Sequence, residues 1–217
     1  TFANAIGTFD EYPMVGYQGV TQIISSGEMW KKWREGERTD SRAFLKARLF
    51  DLVVGNWDRH QGQWRWARIE GQPLWQPFPE DADQAFTRYG GWAMSQARHV
   101  VPRFMSYSGE YPKRIEGLTT NNYDITRWML ADVEWPVFEE VAREVHAALT
   151  DAAIDEAMRL MPPQWYAIDG AQLTKDLRQR RDGIVAYARE FYRHLADRVD
   201  VRATDQADLA RVQHEAD

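Results

Sequence analysis

The sequence predicts an α+β fold that is mostly helical, and three observations carry this. Apolar residues recur every three and four positions across 41–54 and in the segments from 134 to about 199. Two β-prone arms, "WRWARI" and "PLWQPF", flank the turn "EGQ". One further strand-like run, "VTQII", stands at 20–24. With 217 residues, 44% of them hydrophobic and 28% charged, the chain can bury a sizeable core.

After "VTQII", the run "SSGEMWKKW" opens a helix in which Ser25 and Glu28 have capping-box spacing. Asp40 is placed to cap the next helix, "SRAFLKARLFDLVV", whose Phe44, Leu45, Leu49, Leu52 and Val53 form the apolar repeat. Gly55 ends it, because glycine accepts the left-handed conformation of a helix terminus. The ten residues "GNWDRHQGQW" (55–64) therefore form a loop held at the end of a buried helix. The hairpin that follows has arms of roughly six residues, and Pro77 and Pro79 confine its second arm to a sheet edge. At about 3.3 Å per residue the chain runs roughly 20 Å out and the same distance back, which returns "EDADQAF" (80–86) to the loop.

No element is predicted over 87–122, which is rich in Gly, Ser and Tyr. "EWPVFEEVAREVHAAL" is helical, and Thr150 caps "DAAIDEAMRLM" before Pro162 and Pro163 break it. Asp169 is expected to open a long helix from about 171 to 199, on which "RQRR" (178–181) reads as a solvated face. The polar stretch 201–217 reads as a fraying tail or a linker to a further domain. There is no internal repeat and no linker long enough to divide the chain, so one continuous domain is the default.

Composition removes several classes. Absence of cysteine excludes disulfides, zinc thiolate sites and thiol nucleophiles. A net charge of -6, with basic residues scattered along the chain, provides no long-range attraction to nucleic acid or anionic lipid. No stretch approaches the roughly 18 to 20 apolar residues of a membrane span, and the N-terminus lacks a signal pattern. The chain does not start with Met and is expected to be part of a longer polypeptide. Five of its ten tryptophans (Trp57, Trp64, Trp66, Trp75, Trp92) fall between 57 and 92, read chiefly as an aromatic core and otherwise as ligand-stacking surface.

The segments "D58-R-H-x-x-Q63", a hairpin and then "D81-A-D-Q-A-F86" resemble the catalytic and metal-binding segments of the atypical kinase superfamily, which includes phosphatidylinositol, HipA, CotH and secretory-pathway kinases. The longer runs "ARLFDLVVGNWDRHQGQWRWA", "PFPEDADQAF" and "LRQRRDGIVAYAREFYRHLADRVDV" are similar to an uncharacterised kinase-like region of large bacterial proteins, associated with metallophosphoesterases or outer-membrane assembly proteins. This implies a protein-kinase-like C-terminal lobe with a catalytic-loop β-hairpin and a C-terminal helical bundle. Residues 40–200 would form that lobe, 1–39 a partial N-terminal segment at the edge of an upper lobe, and 201–217 the tail.

The resemblance implies an ATP- and Mg²⁺-dependent (or Mn²⁺-dependent) phosphotransferase. Such chemistry needs a carboxylate to orient and deprotonate an acceptor hydroxyl, and oxygen ligands to hold the cation against the phosphates. Asp58 would be the base, Asp81 the principal metal ligand, Gln63 a second ligand where most of these families place Asn, and Asp83 a ligand for a second metal. Arg59 and His60 would brace the loop through hydrogen bonds. The alternatives are a turn cap for Asp58 and exposed loop acids for Asp81 and Asp83. Asp51, one turn before the loop, reads as structural.

A kinase also needs an upper-lobe lysine on a strand. The chain has only five lysines, Lys31, Lys32, Lys46, Lys113 and Lys175, and the first two fall in a predicted helix. A pseudokinase or docking module that binds without turnover is therefore the alternative. A metal-dependent hydrolase using the same acids is the third reading, ranked last because the chain has no HExxH or G-x-S-x-G motif. The acceptor, whether protein, lipid or small molecule, is not specified by any motif. A bacterial envelope or periplasmic location follows from the resemblance alone, with the cytoplasm as the alternative.

Overall fold

The computed structural model describes residues 12–198, 204–205 and 207–209. Helix α2 (Ser41–Val54) lies at the centre, and its Phe44, Leu45, Leu49, Leu52 and Val53 are fully buried. The predicted signals at both ends are present: the Asp40 carboxylate accepts from the backbone N–H of Ala43, and Gly55 adopts φ 74°. Strand β1 (Val20–Ser25) leads into α1 (Ser26–Arg34) through the expected capping box, in which Ser25 and Glu28 satisfy each other's backbone N–H groups.

Strand β2 (Trp64–Ile69) pairs with β1 on one side, with Val20 opposite Ile69 and Ser25 opposite Arg65. On its other side it pairs with β3 (Gln76–Pro79), with Trp64 opposite Pro79. The resulting antiparallel sheet has the order β1-β2-β3, so the two prolines lie on an edge strand as predicted. The second arm is four residues long where about six were expected. Trp75 is the reason: its N–H donates to Arg38 O at 3.0 Å and its carbonyl accepts from Asp40 N at 2.9 Å, so the 38–40 segment takes the bonds that would have extended the hairpin.

The segment 87–122 is more ordered than predicted. It contains α3 (Trp92–Val100), α4 (Glu116–Thr119) and several tight turns, followed by α5 (Tyr123–Met129). None of these three helices has a side-chain hydrogen bond at its N-cap, so the usual start signal is missing from the sequence. Helix α6 (Trp135–Ala148) and α7 (Asp151–Arg159) match the prediction, and the Thr150 hydroxyl caps α7 through Ala153 N.

Two expectations about the C-terminal helix are corrected. Pro163 does not only interrupt α7; it occupies the first turn of a new helix, α8 (Pro163–Trp165), where its missing N–H costs nothing. From there the chain stays helical through a π-turn at Tyr166–Gly170 into α9 (Ala171–Ala196). Gly170 has helical angles (φ -56°, ψ -47°), so there is no free terminus at 169 for Asp169 to cap, and its carboxylate instead pairs with Arg88 at 3.0 Å. "RQRR" is not wholly solvated either: Arg180 is buried on the same face as Asp176, Leu177 and Ile184. Most of the predicted tail, 201–217, lies outside the described residues.

Helices α2, α6 and α9 pack together, and one continuous apolar cluster runs from Ile24 and Met29 through α2 and the sheet to Phe191 and Leu195. Trp64, Trp66 and Trp75 are buried in it, Trp57 packs against its edge, and Trp92 is 79% exposed. Among the described residues no helix is long and apolar enough to cross a membrane.

Candidate functional site

The loop after α2 is fixed from below by charge. Asp51, on the last turn of α2, is buried and receives Arg59 through Nε to Oδ2 at 3.0 Å and Nη2 to Oδ1 at 3.0 Å, and Arg48 Nη1 at 2.5 Å. Both arginines are buried as well, and Arg48 is wholly so, which pulls its proton affinity below the usual arginine range against the opposing pull of Asp51. Arg59 also donates through Nη1 to the carbonyl of Glu80. A single side chain thus joins the helix, the loop and the strand exit that leads to Asp81.

Asn56 makes a second link between the two acidic positions. Its backbone N–H donates to Asp51 O at 2.9 Å, its Oδ1 accepts from Asp58 N at 3.4 Å, and its Nδ2 lies 3.5 Å from Asp81 O. The short 3₁₀ turn at Gln61–Gln63 then turns the Gln63 side chain inward. Gln63 Nε2 donates to Asp81 Oδ2 at 3.1 Å, and Gln63 O accepts from Glu80 N at 2.8 Å. Gln63 Oε1 is buried and has no hydrogen-bond partner, an uncommon state for an amide oxygen.

The return strand is pinned where it passes the loop. Asp81 has φ 58°, a left-handed conformation that Asp tolerates better than most residues, and its Oδ1 accepts from Asp83 N at 3.0 Å. Phe86 N donates to Val54 O at 2.9 Å, which ties the far side of the acidic turn back to the end of α2. The excursion through the hairpin therefore closes on itself as the strand geometry predicted.

The predicted site residues are thus distributed as follows. Gln63 and Asp81 touch directly, and Asp58 reaches Asp81 through Asn56. Asp83 is exposed beside Asp81. Arg59 binds the loop from beneath, whereas His60 is exposed and uses Nδ1 to accept from Gly62 N at 3.0 Å. One partner was missed by sequence reasoning: Asn121, whose Nδ2 donates to Asp58 Oδ1. It comes from the short 3₁₀ turn at Thr120–Asn122, 63 residues from Asp58, and no local pattern marks it. Among the described residues no three His, Cys, Asp or Glu side chains gather at metal-ligand spacing. A Mg²⁺ site does not require three, since this ion commonly keeps several waters and takes one or two carboxylates with the substrate phosphates.

Comparison with protein-family models, with curated proteins and with solved structures finds no match.

Proposed function

We propose that the Asp58 loop and the Asp81 turn form a phosphotransferase site of the atypical kinase type, dependent on Mg²⁺ (or Mn²⁺) and ATP. The observation that carries this is the contact of Gln63 with Asp81 through Nε2, with Oε1 of the same amide buried and left without a partner. Turning the Gln63 amide over would bring Oε1 to the Asp81 carboxylate in place of Nε2, and a divalent cation would then satisfy both oxygens, so the residues present fit the ion. Gln63 and Asp81 would hold it, with Asp83 at the exposed side available to a second. When bound, Mg²⁺ neutralises charge on the β- and γ-phosphates.

The remaining roles fall to the chain's own groups. Asp58 orients the acceptor hydroxyl and takes its proton, and Asn121 fixes the direction of the Asp58 carboxylate. Arg59 keeps the loop in register with the Asp81 turn through Asp51 and Glu80 O. His60 holds the 3₁₀ turn that delivers Gln63 by accepting from Gly62 N.

A specific feature favours a second reading, nucleotide or metal binding without turnover. None of the strands β1 (VTQIIS), β2 (WRWARI) and β3 (QPFP) has a lysine, and Lys32 on α1 is engaged by Glu35 at 2.9 Å and Glu37 at 3.2 Å. The test is thermal denaturation with Mg²⁺ and ATP. Both readings predict a Mg²⁺-dependent upward shift that Asp81→Ala abolishes; a shift with no phosphoryl transfer to any offered acceptor selects the second. Absence of any metal or nucleotide effect on the wild-type protein overturns both.

A further inference from the structure

On the other side of the Gly55–Trp57 segment lies a cavity of about 790 Å³, within the range of small-molecule sites. Its inner wall holds Arg180 from α9. The guanidinium is buried, with its Cζ 4.9 Å from the centre of the Tyr107 ring and 4.4 Å from that of Tyr111. Nε donates to Ser108 O at 2.6 Å and Nη1 lies 3.4 Å from Leu52 O. Among the described residues no carboxylate forms an ion pair with it, and Asp176 acts on it only through longer-range attraction.

A buried arginine lacking a carboxylate is costly, because carbonyl and aromatic partners replace only part of the lost hydration. Lys113 and Arg114 stand exposed at the mouth of the same cavity. Three cationic side chains thus line the cavity with one carboxylate, Glu110, and Glu116 stands 4.0 Å from Arg114 outside the lining, in a protein whose net charge is -6. Local charge of this sign in a concave site concentrates anions. The rest of the lining includes three aromatic rings, those of Trp57, Tyr107 and Tyr111, together with the apolar Met105, Pro112 and Leu118.

We infer that this cavity binds a small organic anion, an aromatic or apolar body carrying a carboxylate or phosphate group, with Arg180 as the buried anchor and Lys113 and Arg114 at the entrance. The ligand is independent of the nucleotide and metal invoked above: none of Asp58, Gln63 and Asp81 lines the cavity.

The test is isothermal titration of the 217-residue chain with phenyl phosphate, benzoate and neutral benzyl alcohol. Phenyl phosphate or benzoate is expected to bind with a Kd below about 1 mM, and benzyl alcohol at least about tenfold more weakly. The exposed double variant Lys113→Glu/Arg114→Glu is expected to weaken anion binding by about tenfold or more, while Lys46→Glu/Lys175→Glu, which changes net charge equally elsewhere, leaves it unchanged. Arg180→Met is expected to abolish binding, but the mouth variants decide the matter if it fails to fold. Equal binding of all three probes, no binding of any, or equal losses in the two double variants overturns the proposal. Anion binding with no response to Mg²⁺ and ATP would leave this site standing and remove the phosphotransferase reading.

Discussion

Arg59 and Asp51 meet at the base of the loop through two hydrogen bonds of 3.0 Å, both groups buried, with Arg48 on the other side of the same carboxylate. One anion therefore compensates two buried cations, and two nitrogens of Arg48 remain without partners. Removing a partner from such a cluster leaves an uncompensated charge, which costs far more than a surface ion pair. Asp51→Ala is expected to lower unfolding stability by about 3–5 kcal/mol. Chemical denaturation measures this, and a loss under about 1 kcal/mol would mean that water reaches the cluster.

Gly55 ends α2 with φ 74°, and a Cβ built there would sit 2.7 Å from Tyr107 Cδ2. Backbone strain and steric contact act together. Gly55→Ala is expected to cost about 1–3 kcal/mol, read from the same denaturation curves. Tyr107 also lines the anion cavity, so the variant is expected to weaken benzoate binding as the ring is displaced.

At Gln63 the proposal turns on one atom. Gln63→Glu replaces the donor that faces Asp81 Oδ2 at 3.1 Å with a second carboxylate. Without a divalent ion the two carboxylates repel, and with one they share it. The melting temperature of Gln63→Glu is expected to lie below wild type in EDTA and to rise more steeply with Mg²⁺. A parallel Mg²⁺ response in the two proteins would remove Gln63 from the metal site.

His194 supplies a pH dependence. Its ring stands 4.9 Å from that of Tyr123, with Nε2 3.2 Å from Thr119 Oγ1, and burial lowers its pKa below 6.5. Arg127 acts in the same direction, while Glu116 and Asp197 oppose it. For a base whose folded pKa is depressed, the unfolded chain takes up the proton first as pH falls. The contribution is therefore complete above about pH 6.5, declines as pH falls from there towards the folded value, and then levels. Melting temperatures from pH 7.5 to 5 are expected to fall less in His194→Gln than in wild type, and identical profiles would assign the acid sensitivity elsewhere.

Much of the candidate site is legible in the sequence because its determinants are local. Asp40 and Gly55 bound α2 by backbone hydrogen bonding and a left-handed residue, which depend on a few neighbours. Two arms of alternating β-prone residues around "EGQ" require the chain to return, so the approach of Asp81 to the loop follows from strand length alone. The helices at 92–100 and 116–119 escape the sequence reading for the complementary reason: neither has a side-chain hydrogen bond at its N-cap to mark its start.

By itself the sequence determined the α+β class, the ends of the central helix, the loop and the hairpin that closes on it. The tertiary structure decided which polar groups lost water and which found partners. It put Asn121 on Asp58 across 63 residues, set Arg59 between Asp51 and Glu80 O, and buried Arg180 from a segment that reads as solvated. Burial is a property of every element packed around a residue, so a guanidinium on a helix carries no mark in its own segment of whether it faces water or the core.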